Sequence, residues 1–134
     1  MCDAGFAGSG VRPFDELSRQ VIGCALEVHR TLGPGLLEST YEECLCYELM
    51  VAGLRFERQA PLPVEYKAVV LPCGYRVDVL VENQLIIELK SIEVVKDIHV
   101  AQVLTYMRLA RIPVGLLINF NVKLLRQGIR RLVL

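Results

Sequence analysis

Over residues 14–32 apolar side chains return at helical spacing, with Leu17, Val21, Cys24 and Val28 in one row and Ile22, Leu26 and His29 beside it. Gly33-Pro34-Gly35 stops that helix. A second helix is expected over about residues 37–52, with Tyr41, Leu45 and Leu49 along one stripe and Gly53 closing it. Ala60-Pro61-Leu62-Pro63 must be extended, because a residue that precedes proline is pushed out of the α region. Three strand-like runs follow, over residues 64–71, 75–81 and 85–89, with turns at Pro72-Cys73-Gly74 and Glu82-Asn83-Gln84. A third helix, about residues 97–111, is apolar on most sides and is expected to be largely buried. Pro113 opens a strand over residues 114–120, rich in Val, Leu and Ile as buried strands are. A helical turn over residues 122–127, then Gly128 and a strand-like stretch over 129–134, complete the pattern. The order αα-βββ-αβ, without repeat or linker, predicts an α/β (α+β) protein with a mixed central sheet flanked by helices. Residues 14–134 are expected to form that one domain, behind a loose, flexible lead over residues 1–13.

Composition narrows the class. The chain has 134 residues, 53% hydrophobic and 22% charged, which suits one globular core. No apolar run reaches the roughly 18 residues that span a bilayer, so no membrane partner is expected. The first 13 residues lack the basic flank and apolar stretch of a signal peptide, and a cytoplasmic location follows by default. Cys2, Cys24, Cys44, Cys46 and Cys73 are an odd set without a CxxC pair, and are expected to be free thiols used as small core residues. Net charge is zero, but unevenly spread. Residues 98–134 hold Arg108, Arg111, Lys123, Arg126, Arg130 and Arg131 and no acid. Such a basic end could meet phosphates, or equally neutralise the acidic half.

The middle hairpin carries the chemistry. A three-residue turn centred on Asn83 puts Asp78 directly opposite Glu88, and period-two alternation puts Lys90 on their face. Like charges opposite each other on a sheet repel, here by roughly 3 kcal/mol at about 5 Å and an effective dielectric near 20. Lys90 offsets part of that, and a divalent cation held by oxygen ligands would offset the rest. Val77, Val79, Ile86 and Ile87 are apolar, so water screens the pair poorly. An ordinary salt-bridge cluster on a surface strand would give the same pattern. A slip of one residue would put Glu88 on the other face.

Other residues point to the same patch. His99, Gln102 and Tyr106 form a polar stripe on the third helix, to serve the carboxylates, a bound phosphate, or simply neighbouring backbone. Glu38 heads the stripe of the second helix, where a carboxylate suits a helix N-terminus, or adds a metal ligand or water positioner. His29 is either a satisfied core histidine or a further ligand.

Gly35-Leu36-Leu37-Glu38-Ser39-Thr40-Tyr41 resembles the Gly-x-x-Glu-x-x-Tyr signature of the GxxExxY proteins, which are assigned to the PD-(D/E)XK nuclease superfamily. The likeness runs from about Leu17 to Val133. It takes in Glu27-Val28-His29, Tyr75-Arg76-Val77-Asp78-Val79-Leu80-Val81, Ile87-Glu88-Leu89-Lys90, His99-x-x-Gln102-x-x-x-Tyr106 and Gly115-Leu116-Leu117-Ile118-Asn119-Phe120. The resemblance implies a PD-(D/E)XK nuclease-like fold with Asp78 and Glu88 as metal ligands and Lys90 beside the attacking water. Glu38 joins them as the acid from an early helix. Gln102 and Tyr106 line the site as in the exonuclease branch that resembles RecB, whose early-helix histidine His29 matches loosely. Val77 stands where the superfamily's name has proline, a common departure.

The expected activity is Mg²⁺- or Mn²⁺-dependent hydrolysis of phosphodiester bonds in DNA or RNA, since hard oxygen ligands suit those ions over Zn²⁺. Catalysis falls to Asp78, Glu88, Lys90 and Glu38. Substrate contacts fall to Gln102, Tyr106 and His99, and metal binding to Asp78 and Glu88, with Glu38 and His29 as additions. The alternatives are a catalytically silent module that binds nucleic acid or protein on the same fold, and a small-molecule or tRNA-processing enzyme. The apolar Leu132-Val133-Leu134 suits a homodimer.

Overall fold

Leu17, Val21 and Val28 of the expected stripe on the first helix and Tyr41, Leu45 and Leu49 on the second are all buried, with Ala25 taking the place expected for the half-buried Cys24, so the two stripes face a common core. The computed structural model describes residues 13–134, so the lead over residues 1–12 lies outside the described residues. Helices α1 (Pro13–Leu32) and α2 (Glu38–Val51) pack against each other and under one face of a five-stranded sheet. The strands are β1 (Phe56–Tyr66), β2 (Val69–Val81), β3 (Leu85–Lys90), β4 (Val114–Asn119) and β5 (Ile129–Val133), in that spatial order. All neighbours are antiparallel except β3 and β4, which run parallel and are joined by α3 (Asp97–Ala110). This is the mixed sheet flanked by helices that the pattern predicts.

Alternation along β3 and β4 divides the core. Leu85, Ile87 and Leu89, with Leu116 and Ile118, meet α1 and α2, while Ile86 and Leu117 meet Val103, Tyr106 and Met107 of α3. All six residues of β4 are buried, as its unbroken apolar run requires. No helix among the described residues is long and apolar enough to cross a membrane. Cys24, Cys44, Cys46 and Cys73 are free thiols. Burial pushes the Cys46 thiol up to about 11, which leaves it inert, whereas Cys73 is exposed and serves no core.

Three expectations need correction. The strand expected over residues 64–71 is broken at Lys67-Ala68, a two-residue hairpin turn with φ of 49° and 69°. Such turns ordinarily signal themselves by Asn-Gly or Asp-Gly, and neither residue here does. Strand β1 instead begins at Phe56 and runs through Pro61 and Pro63, which it tolerates as an edge strand with one side of its backbone unpaired. Pro72-Cys73-Gly74, expected as a turn, lies inside β2, where the register shifts between Leu62 and Val64 and the extra residues are taken up as a bulge. Helix α3 is not largely buried: only Val103, Tyr106 and Met107 are, and Ile98 is 70% exposed. Among the described residues its second face has no layer to pack on.

The short helix after β4 is a 3₁₀ turn over Leu125–Gly128, shorter than the turn expected over 122–127. Gly128 is there because a Cβ would stand 2.1 Å from the Asn119 carbonyl oxygen, with no side chain able to yield. At Gly115 a Cβ would meet the Met107 sulfur at 2.8 Å, and a thioether can move aside. Gly128→Ala is therefore expected to lose about 3 kcal/mol and Gly115→Ala about 1 kcal/mol in urea denaturation. Equal losses would contradict this account.

Candidate active site

The β2–β3 ladder runs from Val81–Leu85 through Leu80–Ile86 to Val79–Ile87 and stops there. Its turn spans Glu82-Asn83-Gln84, as the sequence predicts, with φ of 52° and 55° at Glu82 and Asn83 and a Gln84 N–H to Val81 carbonyl bond of 2.9 Å. One step beyond the ladder stand Asp78 and Glu88, and here the carboxylates replace the missing strand-to-strand bonds. The Asp78 N–H donates to Glu88 Oε1 at 3.2 Å, and the Leu89 N–H donates to Asp78 Oδ2 at 2.9 Å. The strands fork at this point, since β3 continues its pairing with β4 as far as Lys90–Asn119. The fork is plugged by two acids.

Both acids are affected by their surroundings. Glu88 is 5% exposed, and burial, then the charge of Asp78, pushes its carboxyl up to about 8. The Asp78 amide and the charge of Lys90 pull the other way, and Glu38 adds to the rise. Asp78 is raised too, by burial first, against the Leu89 amide, with Glu42 and Glu38 raising it further. Lys90 therefore stands near enough to Glu88 to offset part of its charge, on the face where period-two alternation puts it. Glu38, the first residue of α2, is exposed, and its Oε2 accepts the Ser91 N–H at 3.2 Å, just past the end of β3.

The Gly-x-x-Glu-x-x-Tyr stretch has a physical reading. Gly35 takes a φ of 98°, which few other residues tolerate, and the chain then turns into α2 at Glu38. One turn later Tyr41 is buried, stacked on Phe120 at 4.4 Å, with its hydroxyl donating to the Gly33 carbonyl and accepting the Leu36 N–H. Ser91 Oγ donates to the Leu36 carbonyl, which ties this loop to the end of β3. Asn119 clamps the same segment by accepting the Ile92 N–H and donating to the Ile92 carbonyl.

On α3, Gln102 Nε2 donates to the Tyr106 hydroxyl at 3.1 Å, and burial, more than the nearby charge of Glu88, raises the phenol's pKa. Tyr106 packs in one cluster with Val77, the neighbour of Asp78, and with Ile86. His99 has a local duty instead: its Nδ1 accepts the Lys96 N–H at 2.8 Å and closes the first turn of α3. His29 is not brought to the carboxylates. Its Nε2–H donates to the Val122 carbonyl at 2.8 Å, beside Phe120 in the layer of α1 and α2, so the reading of His29 as a further ligand gives way to that of a satisfied core histidine. Of the basic C-terminal residues, Arg111 pairs with Glu65 of the acidic half at 3.5 Å.

The sequence reading missed Glu42 and Gln59. Glu42 is buried, its oxygens engaged by Arg58 and by Gln59 Nε2 at 2.9 Å, and Gln59 also approaches Asp78 Oδ1 at 3.4 Å. Gln59 holds a φ of 50° within β1, an uncommon conformation for a non-glycine residue that brings it between the two acids. The buried acid had a signal: Glu42 falls on the same face as Tyr41, Leu45 and Cys46, where an apolar residue would be expected. The strained glutamine had none.

Hard oxygen donors under mutual repulsion suit a hard divalent cation, and Mg²⁺ is commonly held by one or two carboxylates, the rest of its shell being water and substrate phosphate. Asp78 and Glu88 fit that pattern. Among the described residues no group of three or more His, Cys, Asp and Glu side chains is arranged to hold a metal. A family model described as the PD-(D/E)XK nuclease superfamily matches residues 15–132. No curated protein and no solved structure gives a match.

Proposed function

Because the chain belongs to the PD-(D/E)XK nuclease superfamily, we propose that it hydrolyses phosphodiester bonds of DNA or RNA with the help of Mg²⁺ or Mn²⁺. Members of that superfamily are commonly nucleases. The observation that carries the reading is the plugged fork, with two carboxylates at the end of a ladder and one amine beside them to offset part of their charge. Asp78 and Glu88 would hold the ion, and Glu38, whose charge acts on both, would add to the negative field around it. A bound divalent ion supplies charge against the negative phosphate and acidifies the attacking water. Lys90 would orient the attacking water, whose oxygen bonds to phosphorus as the ester P–O bond breaks, the water's proton passing to solvent and the leaving oxygen taking one from solvent. Gln102 and Tyr106 hold the strand beside the reacting phosphate. The Gly35, Glu38 and Tyr41 latch supports membership of the GxxExxY group within the superfamily.

The test is cleavage of labelled DNA and RNA with Mn²⁺, comparing wild type with Asp78→Asn. Loss of cleavage on the order of 10²–10³-fold is expected, the scale of losing one preorganised charge at a reacting centre. Equal cleavage by the two proteins would reject the reading. A catalytically silent binding module is the second reading, favoured by the two-carboxylate site and the zero net charge. Calorimetry separates them: the first requires one Mn²⁺ to bind per chain and to be lost with Asp78→Asn.

A further inference from the structure

Past the fork, β1 and β2 continue as a two-stranded ribbon with α3 beside it, and a groove of about 570 Å³ separates them. Volumes of about 300–1,000 Å³ are those of ligand pockets. Its walls include Val64 and Tyr75 from the ribbon and Ile98, Gln102, Tyr106 and Leu109 from α3. Tyr75 and Ile98 remain 49% and 70% exposed, large apolar surfaces that no described residue covers. The Tyr75 and Tyr106 rings lie 6.0 Å apart at 57°, and Tyr75 stands three residues before Asp78 on β2, so the groove opens beside the acids. An exposed aromatic ring, apolar walls and one amide–hydroxyl pair together suit a flat, polar-edged ring.

We propose that this groove is a nucleobase subsite in which the base next to the reacting phosphate stacks on Tyr75, so that the chain takes a single strand rather than an intact duplex. The proposal rests on the phosphodiester reading only for where that phosphate sits. In a duplex both faces of each base are already covered by neighbours, and only an unstacked base can enter such a groove. Zero net charge removes the general electrostatic pull that non-specific phosphate binding needs, which leaves stacking to supply the affinity.

Fluorescence anisotropy tests this without divalent ions, so that no strand is cut. The probes are a short labelled single strand, the same strand with abasic sites, and a blunt duplex of equal length. Tyr75→Ala should weaken the base-bearing strand about tenfold, the effect of losing one stacked base. Tyr75→Phe should bind it like wild type. The abasic strand should bind Tyr75→Ala and wild type equally weakly, matching thermal melts by circular dichroism show that the variant is folded, and the duplex should bind more weakly than the base-bearing strand. Unchanged binding in Tyr75→Ala, a duplex bound as tightly, or no binding of any strand would overturn the subsite. Cleavage is read separately. A protein that cuts duplex with Mn²⁺ and ignores Tyr75→Ala keeps the hydrolytic reading and loses this one, whereas the stacking pattern without any cleavage does the reverse.

Discussion

Glu88→Gln should abolish cleavage and yet melt higher than wild type at pH 7.5. The two effects have one cause. In the folded protein Glu88 holds its proton up to about 8, against an ordinary 4.5, chiefly because it is buried and next because Asp78 faces it. At pH 7.5 the unfolded chain has lost that proton, so folding must take it back or bury the charge. Either way the fold is disfavoured by about 4 kcal/mol, at roughly 1.4 kcal/mol for each pH unit above the unfolded value. Glutamine is the uncharged isostere, its Oε1 still accepts the Asp78 N–H, and its amide can donate to Asp78. The expected gain is a melting temperature roughly 10–15 °C higher at pH 7.5 in the absence of divalent ions. At pH 4.5, where wild-type Glu88 is protonated in the folded state, the two proteins should melt together. Cleavage falls because the amide cannot replace a charged ligand. A variant that melts at or below wild type at pH 7.5 would sink this account of the fork.

The second large effect is on the wild-type pH profile. For an acid whose folded pKa is raised, stability is greatest below the unfolded value and declines as pH rises towards the folded one. Wild type should therefore lose up to roughly 1.4 kcal/mol per pH unit between about 4.5 and 8, and level off above. The groups facing Glu88 are Asp78, Glu38 and Lys90, and Asp78, itself raised with Glu42 nearby, steepens the decline. A divalent ion reverses the slope, because it binds the carboxylate and releases the proton. Mn²⁺ affinity should rise about tenfold per pH unit up to about 8 and then flatten, with close to one proton released per ion at pH 7. Calorimetry in buffers of differing ionisation enthalpy counts those protons. A flat affinity between pH 6 and 8 would show that Glu88 is not in the ion's shell.

Much of the frame was legible because its signals are local. A three-residue turn and strict alternation were enough to oppose Asp78 and Glu88, and the stripe of Tyr41, Leu45 and Leu49 was enough to bury one face of α2. What escaped depends on partners distant along the chain. Pro61 and Pro63 read as an extended stretch ahead of the first strand until the sheet order makes β1 an edge that includes them. Lys67-Ala68 carries no turn chemistry of its own, and the long β1–β2 pairing imposes it. Ile98 looks like a core residue by its neighbours, but no second layer arrives to cover it among the described residues. The bridge of Gln59 between Glu42 and Asp78 arises only where β1, β2 and α2 converge.

The fork also gives the molecule two built-in reporters. Because the Asp78 and Leu89 N–H groups are capped by acidic side chains and not by a neighbouring strand, anything that recruits those oxygens uncaps them. Their exchange with deuterium should quicken when an ion claims the acids, while the amides of β4, paired on both sides, stay slow. Occupancy of the pocket can thus be followed at two backbone positions in the intact protein, with no label and no turnover.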